Sequence, residues 1–597
     1  MKGNILKRKN IKSFFLSNTL LLVISFFVLV IGKCIISLQF NSPWIVDEIV
    51  YYLSAKTIFE NHFLITTSLL FTNFTIGYPF VISPAFLFGP DKYAIFHTVL
   101  IINAILTSLI IFPSYFIIKK FCNEKISLLG ALVIATLPSV NVYIFTMMSE
   151  NLFIPLVIFS FWFIIEYYET FEIKWMALTL ISVLLLITTR IIGIAMLIGL
   201  ILTCVYYIFY YLRPVTKARL IEGKQHLVLL GSSFIIFLFY YFIFYLSVDN
   251  PYHASTRSNY ALLIFENFLS SNSTFYLFLH ELEFLILASY FIFFTVSILF
   301  VILCFTNQPK KGVEKKDIQS LKKINAFKVG LVYAVTSSVI TLILTISNQY
   351  SLQTITYPEN ALYYEIYSRY LDPIVPLIVL IGIVGLSRYS EYLKTKSHLC
   401  FIIFSFIITE LIFYFTFPVH RFAWDDTLSI AYIGNLVDMK IALPVILLLF
   451  LIFFAVFVCR APDKKLNILT LAITFSIILL LIIYSLQLLP TKVWENEGKI
   501  GRYLEDNVDK NAIILFEEQK TLTAIPVFLE FWDSKHKIVS LSNLTLNNAF
   551  RSPNSEIYLI KSRVPDVEPL SCISSYNYCL YKLNKENLLD FNLTLNY

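Results

Sequence analysis

Long apolar stretches separated by short polar ones fill the first 489 residues of the chain. A helix that crosses a bilayer needs about 20 consecutive apolar residues, and several stretches here reach that length without a break. The pattern predicts an α-helical polytopic membrane protein with about 13 transmembrane helices. Their predicted ranges are 13–37, 94–118, 126–146, 151–167, 175–189, 191–212, 227–248, 282–306, 328–347, 371–388, 398–417, 439–459 and 467–489.

The pattern changes after residue 489, where short apolar runs alternate with amphipathic ones. Strands are predicted at 512–516, 537–541, 556–560 and 579–583, and helices at 495–507 and 524–532. Short strands that alternate with helices indicate a small α/β domain. We therefore divide the chain into a transmembrane domain, 1–489, and a soluble C-terminal domain, 490–597.

The composition agrees with membrane insertion, because 58% of the residues are hydrophobic and only 14% are charged, against about 25% charged in soluble proteins. The net charge of +7 comes mainly from Lys and Arg in alternate loops, beginning with residues 2–12. The positive-inside rule places these loops in the cytoplasm. With an odd number of helices, the α/β domain is then extracytoplasmic, on the outer side of a plasma membrane. The charge thus reflects topology and contact with membrane lipids, and predicts no nucleic-acid partner.

Cysteine usage separates the two domains. Six of the eight cysteines lie in or beside predicted helices, whereas Cys572 and Cys579 lie in the soluble domain. An extracytoplasmic location permits a disulfide between these two. Two free thiols are the alternative.

Residues suited to chemistry gather at the predicted outer ends of the helices. The first outer loop, 38–93, carries the adjacent carboxylates Asp47 and Glu48. Arginine binds phosphate bidentately and stays charged when partly desolvated, and a carboxylate can take a proton from an attacking hydroxyl group. Such a set suits a substrate whose lipid tail lies in the bilayer and whose phosphate lies at its surface. The candidates are Asp47, Glu48, Tyr78, His97, Glu150, Arg190, Arg257, Arg369 and Tyr370.

The acidic pair after the first predicted helix resembles the motif of the GT-C glycosyltransferases, which include protein O-mannosyltransferases and the lipid A aminoarabinose transferases. The order of motifs and the helix spacing agree from about residue 13 to residue 380. The Trp-Trp-Asp signature of oligosaccharyltransferases does not occur, which argues against transfer of a whole oligosaccharide to asparagine. The other segments that carry the resemblance are Gly77-Tyr78-Pro79, Met148-Ser149-Glu150, Thr189-Arg190 and Ser368-Arg369-Tyr370.

The resemblance implies transfer of a sugar, with inversion, from a polyprenyl- or dolichyl-phosphate donor to a protein, lipid or glycan acceptor outside the cytoplasm. It implies that Asp47 is the base, with Glu48 and Glu150 as further carboxylates of the site. Arg369 and Tyr370 would hold the donor phosphate, with Arg190 as a second candidate. The resemblance leaves open whether the site uses a divalent metal ion, because some members of the family use one and others do not. Further candidates for substrate contact are Tyr78, Arg257 and His97.

Structural roles are the alternatives for these residues. Asp47 and Glu150 can stabilise helix N-termini, and Arg190 can anchor a helix end at the membrane surface. The competing function is a transporter or flippase of lipid-linked glycans, which would carry ionisable groups at mid-membrane. The predicted helix interiors are almost purely apolar, which favours the enzyme. A membrane scaffold whose soluble domain binds partners would leave the charged set at one face unexplained.

Overall fold

The computed structural model describes residues 2–43, 46–62, 75–89, 91–211, 217–246, 272–306, 318–356, 368–389, 464–497, 499–517, 536, 538–541, 556–562, 564, 567–573, 578–584 and 591. Two predicted membrane helices, 398–417 and 439–459, lie outside these residues. The same is true of the predicted helix 524–532 and of Arg257. The other predicted helices fall wholly or largely on helical residues.

The membrane part is built of helices. In chain order they are α1 (Lys2–Ser37), α2 (Val46–Glu60), α3 (Gly77–Ile82), α4 (Lys92–Ser108), α5 (Ile111–Lys119), α6 (Glu124–Thr136), α7 (Pro138–Asn141), α8 (Glu150–Thr170), α9 (Ile173–Thr189), α10 (Ile194–Tyr211), α11 (Lys217–Leu246), α12 (Asn272–Ala288), α13 (Ile292–Thr306), α14 (Ile318–Thr356), α15 (Val375–Tyr389) and α16 (Lys464–Glu497). Short 3₁₀ helices occupy Ser83–Phe88, Ile191–Gly193, Ser368–Tyr370 and Asp372–Ile374.

Local sequence sets several of the helix ends. The Asp91 side chain accepts a hydrogen bond from the Tyr93 N–H at the start of α4, and Asn123 caps α6 in the same way. The predicted helix 126–146 breaks at Leu137, which is extended, because Pro138 follows and disfavours helical geometry in the residue before it. Residues 142–149 therefore form turns that lead to α8, and these turns later contribute to the site.

The predicted single helix 282–306 is wrong, because the chain bends by 104° between α12 and α13. Two residues at the bend, Tyr290 and Phe291, have positive φ angles of 56° and 54°. The expectation of an almost purely apolar helix interior does not hold for α12 either. Three ionisable side chains of α12 are buried: His280, Glu281 and Glu283.

Five helical segments in the described part of the chain are long and apolar enough to cross a membrane, or six if the bent pair α12–α13 counts as one. The five are Thr19–Ser37, Lys92–Lys119, Glu150–Thr170, Ile191–Tyr210 and Lys322–Ser347. Shorter apolar helices, such as α9 and α15, pack among them. The total of about 13 spans stays a prediction.

Antiparallel packing of α1 on α4 brings the loop that follows α1 to the start of α4. Phe26 of α1 contacts Phe112 of α5, which continues the apolar segment of α4, with ring centroids 5.2 Å apart. Near the start of α4, the His97 imidazole lies 3.1 Å from the carbonyl oxygen of Phe40. Between them, buried Lys33 donates a hydrogen bond of 3.1 Å to Thr107. The loop that follows Phe40 therefore begins at a defined position beside α4.

The predicted soluble domain contains, in its described residues, a mixed five-stranded sheet of order β2-β1-β3-β5-β4. Its strands are β1 (Ile513–Phe516), β2 (Ile538–Ser540), β3 (Ile557–Ser562), β4 (Ser571–Ile573) and β5 (Tyr578–Leu583). All four predicted strands are present, and the short β4 was not predicted. A disulfide joins Cys572 and Cys579, which face each other across β4 and β5. The helix α17 (Lys499–Asn507) packs on one side of the sheet.

Because α13 and α15 approach each other closely, we expect Gly382→Ala to lower the stability of the fold. A Cβ at Gly382 would lie 2.6 Å from the carbonyl oxygen of Phe293. Because that atom is backbone, the two helices must separate, at a cost of about 1–3 kcal/mol. Thermal unfolding in detergent should therefore begin at a lower temperature. Gly231→Ala in α11 is the matched control, since nothing lies within 4 Å of its added Cβ. An equal loss in both variants would contradict the close approach.

Candidate functional site

The adjacent carboxylates Asp47 and Glu48 open α2 and point in different directions. Successive side chains on a helix are about 100° apart, so the two cannot share one environment. Glu48 is fully buried, and its Oε2 accepts the Met147 N–H at 2.8 Å. The Asp47 side chain keeps 32% of its surface exposed. The partly exposed carboxylate is therefore the one that can meet a substrate.

Arg369 joins Asp47 to Glu150. It lies in the 3₁₀ helix Ser368–Tyr370, and its side chain is 7% exposed. The guanidinium Nη2 donates to Asp47 Oδ2 at 2.9 Å, and Nε donates to Glu150 Oε1. One planar cation thus links the start of α2 to the start of α8.

Glu150 is fully buried in the first turn of α8 and accepts two guanidinium groups. Arg190 Nη1 and Arg369 Nε both contact its Oε1. Arg190 follows α9 in an extended conformation, and its guanidinium lies 4.9 Å from the centre of the Tyr370 ring. A buried carboxylate without cations would carry a large desolvation cost, so this cluster holds together only as a unit.

Electrostatic balance explains the arrangement. Asp47 and Glu150 offset Arg190 and Arg369, so the four charges sum to zero. A further buried acid, besides Glu48 and Glu150, is Asp372, which accepts a hydrogen bond of 2.5 Å from the Tyr143 hydroxyl. The site therefore holds strong charges at low net charge, and an incoming phosphate would have to displace a carboxylate from an arginine.

A short relay of hydroxyl groups supports Glu150 from α2. The Tyr51 hydroxyl donates to Ser149 Oγ at 2.9 Å, and Ser149 Oγ donates to Glu150 Oε2 at 3.3 Å. Burial raises the pKa of Tyr51. Arg190 lowers this pKa by a smaller amount, and the Glu150 carboxylate raises it. Tyr51 therefore stays protonated and can donate at physiological pH.

Other predicted candidates lie beside the cluster without joining it. The Tyr78 hydroxyl donates to Asn103 Oδ1 at 3.0 Å, and Asn103 donates to the carbonyl of Thr146 at 2.8 Å. His97 lies 3.2 Å from Asn41 Oδ1 and holds the start of the first outer loop. Both residues thus support the segments that carry the charged cluster.

Sequence reasoning brought Asp47, Glu150, Arg190, Arg369 and Tyr370 into one set, and the structure places these five together. It missed the supporting roles of Tyr51 and Tyr143 and the buried acid Asp372. For Tyr51 a signal existed, since it lies four residues after Asp47 and so on the same side of α2. Tyr143 and Asp372 are 229 positions apart, and no local pattern connects them.

In the part of the chain that the structure describes, no three His, Cys, Asp or Glu side chains are grouped to hold a metal ion. Asp47 and Glu150 both face guanidinium groups instead. The chemistry of the described cluster is therefore that of carboxylate–arginine pairs.

The different burial of the two acids predicts different losses of stability. Glu150→Gln leaves two buried arginines facing each other and should cost about 3–5 kcal/mol. Asp47→Asn removes a partly exposed partner and should cost about 1 kcal/mol. Thermal unfolding of both variants in the same detergent measures the difference. Equal losses would mean that Glu150 is not the centre of the cluster.

Comparisons with known proteins support the fold. No family model and no curated protein matches the sequence. Among solved structures, ArnT from Cupriavidus metallidurans bound to undecaprenyl phosphate aligns with 94% of this chain and 97% of its own, at 12% identity and a TM-score of 0.53. ArnT from the same organism in the apo state aligns with 91% of this chain and 93% of its own, at 14% identity and a TM-score of 0.49. The first alignment shows that the chain shares the GT-C fold of ArnT.

Proposed function

We propose that this protein is a glycosyltransferase that transfers a sugar from a polyprenyl-phosphate donor to an acceptor on the extracytoplasmic face of its membrane. The observation that carries the proposal is the contact of the partly exposed Asp47 carboxylate with the Arg369 guanidinium. These are the base and the phosphate-binding cation that such a reaction needs. The fold supports the proposal, because the ArnT structure with that fold is bound to undecaprenyl phosphate.

Donor binding is assigned to Arg369, Arg190 and Tyr370. The phosphate binds Arg369 through the Nη2 that now contacts Asp47, since arginine pairs with phosphate in a bidentate geometry. Arg190 adds charge from its position over the Tyr370 ring. Binding of the donor therefore releases Asp47 from its arginine at the moment when a base is required.

The transfer step is a single displacement with inversion. An acceptor hydroxyl or amino group attacks the anomeric carbon, and the bond from that carbon to the phosphate oxygen breaks. Polyprenyl phosphate leaves with the bonding electron pair, and its negative charge is stabilised by the guanidinium groups. Asp47 takes the proton of the attacking group. No general acid is needed, because phosphate is already a good leaving group.

Glu150 and Glu48 have positioning roles in this mechanism. Both are fully buried, so neither reaches an acceptor from the aqueous side. Glu150 holds Arg190 and Arg369 at a common point. Glu48 ties α2 to the backbone at Met147. They set the direction of Asp47 and of the arginines, and Asp47 alone among the three acids contacts the reacting groups.

A flippase of lipid-linked glycans is the second candidate function, favoured by one observation. The bend between α12 and α13 follows buried His280, Glu281 and Glu283, and ionisable groups beside a broken membrane helix are typical of transporters. Movement of a labelled lipid-linked sugar across vesicles, without covalent transfer, would support the flippase over the enzyme.

Asp47→Asn should abolish most of the transfer activity while the protein stays folded. Loss of a general base lowers the rate by about 10²–10⁴-fold. The assay follows label from polyprenyl-phosphate sugars to acceptors in proteoliposomes. Glu60→Gln serves as the control, because Glu60 is an exposed acid on the same helix, α2. Normal activity of Asp47→Asn would refute the assignment of the base.

Arg369→Lys should weaken donor binding even though the charge is kept. Lysine cannot present the two parallel N–H groups that pair with a phosphate or carboxylate, so the Kd for polyprenyl phosphate should rise by about tenfold or more, or about 1.4 kcal/mol. Lys174→Arg is the control, since Lys174 is an exposed cation of α9 paired with Glu172. Unchanged binding in Arg369→Lys would place the phosphate elsewhere.

A further inference from the structure

The soluble domain is attached to the membrane part through polar contacts of α17. Lys92 Nζ lies 2.5 Å from Glu505 Oε2, with side chains 13% and 25% exposed. One turn away, Arg502 Nη1 donates to the Tyr93 hydroxyl at 2.8 Å. Lys92 and Tyr93 form the first turn of α4, so two adjacent contacts fix α17 at one helix start.

The contact of Glu505 with Lys92 also bears on α2, through the segment that lies between α2 and α4. Tyr52 is buried and lies five residues after Asp47, and its ring centroid is 5.1 Å from that of Phe86. Burial raises the pKa of Tyr52, and the carboxylates of Glu505, Asp91 and Glu60 raise it further. Phe86 belongs to the 3₁₀ helix Ser83–Phe88, which packs on both α2 and α4. The carboxylate that holds Lys92 at the start of α4 is therefore connected to Tyr52 through packed residues.

The opposite face of α17 is embedded in the soluble domain. Ile500, Leu504 and Val508 recur at a spacing of four and pack with Ile514 and Phe516 of the sheet. Because α17 is an α-helix, Arg502 and Glu505 lie on the side away from this apolar stripe. The sheet therefore holds the helix, and the helix presents its charged side to the membrane part.

A displacement of Tyr52 would also displace Asp47. The two residues belong to one helix of 15 residues and are about 7.5 Å apart along its axis. A short helix moves as a rigid body, so its N-terminal half follows its middle. The contact between Asp47 and Arg369 includes a hydrogen bond of 2.9 Å, and such a bond weakens with a small displacement.

We propose that Glu505 is a positioning residue, through which the soluble domain sets the place of α2 and hence of Asp47. The effect on activity rests on the proposed function, whereas the effect on α2 does not. The soluble domain is thus part of the catalytic unit, although it supplies no group to the charged cluster in the described residues.

The test uses the full-length protein in nanodiscs and four forms of it: wild type, Glu505→Gln, the exchanged pair Lys92→Glu/Glu505→Lys, and Asp506→Asn. Asp506 is the matched control, because it is the neighbouring acid on α17 and is exposed. Hydrogen exchange of the amides of α2 reports its position without any assumption about the reaction. Transfer kinetics with a polyprenyl-phosphate sugar donor report the effect on Asp47.

We expect Glu505→Gln to speed exchange in α2 by about tenfold and to lower kcat by a similar factor, with a smaller change in KM for the donor. The exchanged pair should restore much of the protection, since it rebuilds the ion pair, and Asp506→Asn should match wild type. Unchanged exchange in α2, or an equal effect of Asp506→Asn, would overturn the proposal. If the wild-type protein shows no transfer activity, the proposed function is refuted. The hydrogen-exchange data would still decide the role of Glu505.

Discussion

The buried carboxylate of Glu150 is the constraint on which the rest of the site depends. It has no exposed surface, so it is tolerable as an anion only with cations in direct contact. Arg190 and Arg369 supply them from two distant parts of the chain. Their pairing draws together the start of α8, the junction of α9 with α10, and the segment before α15.

Asp47 supplies the remaining negative charge from the partly exposed side of the cluster. The two arginines repel each other, and one buried carboxylate offsets only half of their charge. Asp47 offsets the remainder through Arg369 while staying partly exposed. The cluster is therefore stable without substrate, and a phosphate can take the place of Asp47 because both are anions that suit the same guanidinium group. In the proposed mechanism, this exchange couples donor binding to the release of Asp47 as the base.

Support for the cluster comes from uncharged groups and from the soluble domain. Tyr51 and Ser149 extend the hydrogen bonds of Glu150 back to α2, and Glu48 fixes the same helix to the backbone at Met147. On its other side, α2 packs through Tyr52 on Phe86, just before the start of α4, where Lys92 pairs with Glu505 of the soluble domain. The helix that carries Asp47 is thus held from two directions, and the proposed role of Asp47 as the base would require such precise orientation.

The sequence by itself determined the class of protein, most of the helices, four strands of the sheet and the set of charged residues at the helix ends. These follow from local patterns: apolar length predicts helices such as α4 and α8, and short apolar runs predict strands such as β1 and β3. Only the tertiary structure decided that Glu150 is buried and Asp47 partly exposed, although both begin helices and look alike in sequence. It also decided the bend at Tyr290 and Phe291 and the contact of Glu505 with Lys92, 413 positions away. Burial and pairing depend on which helices pack together, and that packing brings distant residues into contact without leaving a periodic signal in either segment.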